Sequence, residues 1–569
     1  MNSLNAGKDY ITVTGPVNSS TLTNMSFRFF ISVLLVIIQV EPAQSRVMLA
    51  GGHLPVCTSM SGSQCSGSPG WDEQALSEHR YRIDTDALRR WTEAVEASDD
   101  QYLARDWLQL LIHLRDDDGR WRERGDLTRQ IRDARLRFPD DPHRDDIFGE
   151  TLYQSADDRQ WMRLLDHFQQ AVGERREQVM LAASRNNDSV AVFQRFVAMA
   201  AEVSDRERPL IAVSTASSRD PYDALDFYLQ VFEQAGAKVI WLPLDAAVRR
   251  AREHGDCDNL SAHQASELGS HDRQRVWPEH FEQQLKFCRS SNAGLEIVDQ
   301  IDGLFLNGGD QWLTLHAFRG PDGKATPELE RVLARLDAGE LVLGGTSAGA
   351  AVQSGSDMIS NGGNRAALVH GAFASPPPAP GCQRSGRCPE GLDGDSLTYH
   401  PPGGLGSIPF AIVDTHFSER QRQLRLMRLL TDSDQRFGLG ADETTALVIS
   451  PEADARYRLE VVGAAAAWLF DRTAADRALV HRISPGTTLT FDFDKTFPVD
   501  FEDVVIEASC RSFDWSSSFN DLIAGRNRHG LWHWCLEPEP GQTFELTLRA
   551  LPDSEAGVET FDFQLKNGN

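Results

Sequence analysis

Seven short aliphatic runs separated by stretches of helical character constrain this chain more than any other feature. They are Arg46 to Ala50, Pro209 to Ser214, Lys238 to Leu244, Gly303 to Leu306, Leu341 to Leu343, Phe410 to Val413 and Thr445 to Ile449. Runs that are apolar throughout fit strands covered on both faces, and strands separated by helices call for crossover connections. The expected fold class is α/β, a mostly parallel sheet flanked by helices. In such a sheet ligands bind beyond the carboxyl ends of the strands, so the residues just after each run are where chemistry is expected.

With 569 residues the chain exceeds one ordinary hydrophobic core. Five stretches follow from its patterning: a leader and signal segment over 1–45, a first strand within 46–74, a helical insertion over 75–205, a catalytic α/β region over 206–470, and a β-rich C-terminal region over 471–569. In the insertion, Leu103, Trp107, Leu110, Leu111 and Leu114 form one apolar stripe, and Ser98 with Gln101 fits a capping box at its start. Residues 374 to 407 are rich in Pro and Gly and read as a long loop. After about residue 470 apolar residues alternate, as in Leu489, Phe491, Phe493 and again Phe544, Leu546, Leu548. The aromatic residues Phe513, Trp515, Trp532 and Trp534 read as core of that region before they read as a binding platform.

Arg28 precedes the apolar run Phe29 to Val40, and Ala43-Gln44-Ser45 supplies small residues for cleavage, so a secretory signal is expected, with no stable membrane span after its removal. The eight cysteines fall in close pairs, Cys57 with Cys65, Cys257 with Cys288, Cys382 with Cys388 and Cys510 with Cys535, which suits an oxidising compartment: a secreted or periplasmic location. No CxxC pair suggests structural zinc, and no metal or organic cofactor is expected. The net charge of -26 argues against nucleic acid and against an anionic membrane surface as partners. Monomer and homodimer both stay open.

The run Leu341 to Leu343 enters Gly344-Gly345-Thr346-Ser347-Ala348-Gly349-Ala350, the G-x-S-x-G spacing of a nucleophile elbow. Glycines before and after the serine remove side chains that would collide across a sharp strand-to-helix turn. Ser347 is the candidate nucleophile, and the N–H of Ala348 is a candidate oxyanion donor. A serine hydroxyl needs a base, itself oriented by a third group. His416, just after the run Phe410 to Val413, is the candidate base, with Glu443 or Asp414 to orient it. The segment Asn307-Gly308-Gly309-Asp310-Gln311 follows a further strand and offers Gly309 as a second oxyanion donor and Gln311 as a substrate contact. Arg420, Arg422 and Arg425 cluster in an otherwise acidic chain, and guanidinium groups favour an acidic substrate group.

Taken together, NGGDQ, GGTSAGA, VDTHFSERQRQLR and GADETTAL resemble cyanophycinase and its relatives, serine peptidases that include dipeptidase E and share the class I glutamine-amidotransferase-like fold. The resemblance implies an extracellular member whose triad is Ser347, His416 and Glu443, with Gln311, Asp414, Thr415, Arg420, Arg422 and Arg425 shaping the substrate site. It implies a peptide or cyanophycin polymer as substrate, cleaved to β-Asp-Arg dipeptides through an acyl-enzyme. Thr415 departs from the family, which carries glutamine beside the histidine. The alternatives are an α-aspartyl dipeptidase and a non-catalytic polymer-binding protein on the same fold.

Overall fold

The computed structural model describes residues 45–96, 101–115, 119–139, 145–452, 456–493, 510–524, 531–551 and 556–567. Apart from Ser45, the expected leader and signal segment lies outside the described residues, as do Ser98 and the side chains of Gln101 and Leu103.

Six of the seven aliphatic runs become strands of one eight-stranded sheet. Its parallel part comprises β1 (Arg46–Ala50), β2 (Leu210–Ser214), β3 (Lys238–Trp241), β4 (Gly303–Leu306) and β5 (Val342–Thr346), in the spatial order β1-β5-β4-β2-β3. The helix Asn187–Glu202 is started by Asn186, whose side chain accepts from the Ser189 N–H at 3.0 Å, and packs onto this sheet. Its Phe196 ring lies edge-on to Phe305, 5.1 Å between centroids, and covers Gly344, where a Cβ would stand 2.5 Å from the ring. A side chain at residue 344 would lift the helix off the sheet, so this glycine serves packing as well as the turn that follows.

The expectation of one mostly parallel sheet needs correction at two strands. The Phe410 to Val413 run becomes β6 (Ile412–Thr415), which does not join the first sheet but lies parallel to β7 (Phe437–Ala441) at the edge of a second eight-stranded sheet. The Thr445 to Ile449 run becomes β8 (Thr445–Pro451), which joins the first sheet antiparallel to β1 and is followed by β9 (Arg456–Gly463), again antiparallel. A gap of a few residues between β8 and β9 allows only a hairpin, because a parallel return needs a crossover of a dozen residues or more.

The second sheet continues from β7 through β10 (Ala467–Ala474) and β11 (Arg477–Ile483), while β12 (Thr488–Asp492) closes the edge of the first sheet beside β9. Beyond them β13 (Arg511–Ser512), β14 (Leu531–Glu539), β15 (Gln542–Ala550) and β16 (Val558–Asn567) complete the second sheet in the order β6-β7-β10-β11-β16-β15-β14-β13. Trp532, Trp534 and Phe513 are buried in its core with Trp468, Phe470 and Phe561, and only Trp515 of the C-terminal aromatic set is partly exposed.

A third core, independent of both sheets, is built from the helical region: Trp91, Trp107, Leu110, Leu111, Leu127, Trp161 and Phe168 are buried together. All four cysteine pairs expected from the sequence are disulfides: Cys57–Cys65, Cys257–Cys288, Cys382–Cys388 and Cys510–Cys535. Among the described residues no helix is long and apolar enough to cross a membrane.

Candidate active site

Ser347 leaves β5 at φ 52° and ψ −116°, a left-handed backbone conformation that a residue with a side chain adopts only where its surroundings hold it. They do so here. Its N–H donates to the Ala50 carbonyl at 2.9 Å, and its own carbonyl accepts from Ala350 and Ala351, both at 2.9 Å. The flanking glycines are required sterically: a Cβ at residue 345 would stand 2.1 Å from the Gly349 oxygen, and one at residue 349 would stand 2.3 Å from the Leu306 oxygen. The turn therefore presents the Ser347 side chain at the carboxyl edge of the first sheet.

The base candidate comes from the second sheet. His416 follows β6 at φ 47°, and its N–H donates to the Gly51 carbonyl at 2.7 Å. Its Nε2 is 2.8 Å from Ser347 Oγ, and its Nδ1 is 2.7 Å from Glu443 Oε1. With the proton on Nδ1 donated to Glu443, Nε2 is left free to accept from the serine hydroxyl.

Glu443 sits in the turn between β7 and β8, and its buried neighbour Asp442 anchors that turn. The Asp442 carboxylate accepts from the N–H groups of Ser418 (2.9 Å) and Ala466 (3.1 Å), from Trp468 Nε1 (3.1 Å) and from Asn520 Nδ2 (2.7 Å). The Thr444 N–H donates to the Gly52 carbonyl at 2.9 Å, and the Glu443 N–H donates to Glu419 at 3.1 Å. Burial drives the pKa of His416 down to about 4, helped by the charges of Arg420 and Arg422 and opposed by Glu443, so the imidazole is neutral at ordinary pH.

The structure separates the two acids that the sequence left as alternatives. Asp414 does not reach His416; it is buried between Arg425, which donates through two nitrogens at 2.8 and 2.6 Å, and Arg422, at 3.2 Å. These guanidinium charges overcome the effect of burial and hold its carboxyl below the usual range. Arg422 also donates to the Thr415 carbonyl, and Arg425 to that of Gly362. Both arginines are thus engaged within the protein, whereas Arg420 is exposed and its guanidinium has no partner among the described residues.

Ser347, His416, Gln311, Gly309, Thr415 and Ala348 line one cavity of about 540 Å³, which Asp414, Arg420, Arg422 and Arg425 also border. Gly309 has φ 149° and abuts Ser217, whose carbonyl oxygen would be 2.2 Å from a Cβ there. The N–H groups of Gly309 and Ala348 donate to no protein acceptor among the described residues. Gln311 begins the helix Gln311–Phe318 and donates its amide to the Ile359 carbonyl at 2.8 Å.

Sequence reading missed several participants. Gly51 and Gly52 hold the His416 and Glu443 turns, although a glycine pair directly after a strand is itself a signal. Arg159 of the helical region and the segment Pro377 to Pro380 of the long loop form part of the cavity wall. Nothing in their local sequence ties them to the site.

No family model matches the chain. Curated relatives do. A cyanophycinase of Geminocystis herdmanii is 29% identical over 265 residues, 47% of this chain and 70% of that protein. The relationship to cyanophycinases is distant. A cyanophycinase of Trichormus variabilis is 33% identical over 186 residues, covering 33% of this chain and 50% of that protein. For a cyanophycinase of Synechococcus elongatus the identity is 33% over 165 residues, 29% of this chain and 41% of that protein. The chain therefore spans half or less of the length of these last two relatives. Among solved structures, a peptidase from an acI-B1 Actinobacterium matches 53% of this chain and 91% of its own at 16% identity and a TM-score of 0.31, a likeness too low to carry an argument.

Proposed function

We propose that the protein is an exported serine peptidase that hydrolyses cyanophycin or related aspartyl peptides through an acyl-enzyme. The observation that carries this reading is the hydrogen-bonded chain from Ser347 Oγ through His416 to Glu443 at the edge of a cavity. The distant relationship to cyanophycinases supports a peptidase in general. The four disulfides are consistent with export.

In the proposed reaction Ser347 Oγ attacks the scissile carbonyl while its proton passes to His416 Nε2, and Glu443 stabilises the imidazolium that forms. The N–H groups of Gly309 and Ala348 receive the oxyanion. The imidazolium then protonates the leaving amine as the C–N bond breaks. Water, deprotonated by the same imidazole, releases the acid product and restores the serine. Arg420 is available for a carboxylate of the substrate, whereas Arg422 and Arg425 are spent on Asp414. Those two arginines shape the site by fixing β6 and Thr415, the residue before His416.

Incubation of the protein with insoluble cyanophycin tests the reading directly. Release of β-Asp-Arg that disappears in Ser347→Ala supports it; no release, or release undiminished in that variant, overturns it. The variation in which the substrates are short α-aspartyl peptides is distinguished by a panel of Asp-X dipeptides turned over in the absence of polymer hydrolysis.

A further inference from the structure

The charged side chains bordering the cavity do not all have partners among the described residues. Its three carboxylates do: Asp414 lies between Arg422 and Arg425, Asp310 accepts from the Trp312 N–H at 2.8 Å, and Glu267 faces Arg250 at 3.9 Å. Two of its four arginines do not. Arg420 follows β6, and Arg159 comes from the helical region; both are exposed, and neither guanidinium makes a hydrogen bond or ion pair with the described residues. With four arginines against three carboxylates, the charged lining of the cavity is net positive, in a protein whose net charge is -26.

Arg159 is held in place by its surroundings. It occupies the first turn of the helix Asp158–Phe168, which Asp157 and Gln160 cap reciprocally. That turn is clamped to the proline-rich loop: the Asp158 N–H donates to the Pro380 carbonyl at 3.2 Å, Arg384 donates to Asp158 Oδ1 at 2.6 Å and to the Ala156 carbonyl at 3.0 Å, and Arg387 pairs with Asp157 at 3.5 Å. The Cys382–Cys388 disulfide closes the loop beside these contacts. The side-chain stem of Arg159 runs past Gly269, and its charge acts on Asp310, the residue after Gly309. A guanidinium fixed at its root and free at its head is suited to a carboxylate ligand, which it binds through two parallel hydrogen bonds.

We infer that Arg159 is a specificity-determining residue that receives a second carboxylate of the substrate while Arg420 receives the first, so that the site selects diacidic peptides over monoacidic ones. This inference rests on the proposed peptidase reading for its substrate class. It assigns to the helical region a direct part in recognition, through one side chain carried on a clamped helix end.

Binding to the full-length Ser347→Ala protein, measured by calorimetry, tests it with tetrapeptide amides containing two aspartates, one aspartate with one asparagine, or two asparagines. The diaspartyl peptide is expected to bind about tenfold tighter than the monoaspartyl one, the gain of one charge-assisted pair. Arg159→Gln removes that difference and Arg159→Lys restores part of it, with unchanged melting temperatures. Equal affinities for the two peptides, or a difference that survives Arg159→Gln, overturn the inference. With Ser347 intact, Arg159→Gln raises KM for a cleaved diacidic peptide by a similar factor with kcat retained. If Ser347→Ala still hydrolyses substrate, the catalytic reading fails while the binding comparison still decides the role of Arg159.

Discussion

The imidazole of His416 rests against Gly52, where a methyl group would stand 2.4 Å from Cε1 and 2.5 Å from Nε2. Residue 52 also has φ 106°, a conformation open to glycine and strained for other residues. Gly52→Ala should therefore push the ring out of line with Ser347 without touching any group that reacts. A displacement on this scale lowers kcat by about 100-fold. Peptide hydrolysis measured alongside thermal unfolding checks this; a variant that keeps full activity would show that the ring position tolerates displacement.

Glu443 and Asp414, the two carboxylates that the sequence offers to orient His416, should fail in opposite ways. Glu443→Gln leaves the fold intact and lowers kcat by about 1,000-fold or more, because the amide can donate to Nδ1 and hold the wrong tautomer, and the negative charge that stabilises the imidazolium is lost. Asp414→Asn leaves Arg422 and Arg425 facing each other, buried and without a counter-ion, and costs about 3 to 5 kcal/mol of stability. Unfolding midpoints and turnover, measured together on both variants, separate the two effects.

The acid limb of the pH profile should lie unusually low. His416 can accept the serine proton only when neutral, and its pKa is driven down to about 4, so kcat/KM should hold to about pH 5 and fall through about pH 4. The same shift couples to stability. The folded state disfavours protonation of this ring, so its contribution is fully present above the unfolded value of about 6.5 and is lost as pH falls from there towards 4. A limb centred near 6.5 would show an imidazole open to solvent.

Removing the Cys382–Cys388 bridge with serines should loosen the proline wall of the cavity. The closed loop is short, so the entropic loss is about 2 kcal/mol at most and local to the loop. The expected signature is a raised KM with a small change in melting temperature, read from steady-state kinetics on the double variant.

The strands were legible because buried strands cannot hide their apolar character: β1, β2, β4 and β8 lie where continuous aliphatic runs stand. β7 was not, since two of its five residues are Gly438 and Gly440, each required by a neighbour; a Cβ would meet Leu426 at 2.9 Å and Phe417 at 2.4 Å. Glycines chosen for close packing erase the strand signal they sit in. The division into two sheets was equally hidden, because pairing partners are set by loop length and packing, which no short run encodes. At the site, the motif residues Ser347, His416 and Glu443 come within hydrogen-bonding reach, whereas the choice between Glu443 and Asp414 needed the arginines that occupy Asp414. Arg159 could not be found from spacing at all: a lone arginine on a charged helix has no local mark that distinguishes it from a solvated one.

The pairing of β1 also sets a timetable. Val47 lies opposite Ile449 in β8 and beside Leu343 in β5, and the loop after β1 carries the carbonyls that hold His416 and Thr444. The earliest described strand thus waits for partners made some four hundred residues later, a contact of very high sequence separation whose loop-closure cost falls late in folding. A growing chain can complete its helical core while serine and imidazole are still apart. Assembly of the reactive centre is then a late event in the maturation of the polypeptide, since it waits on the closure of β1 against β8.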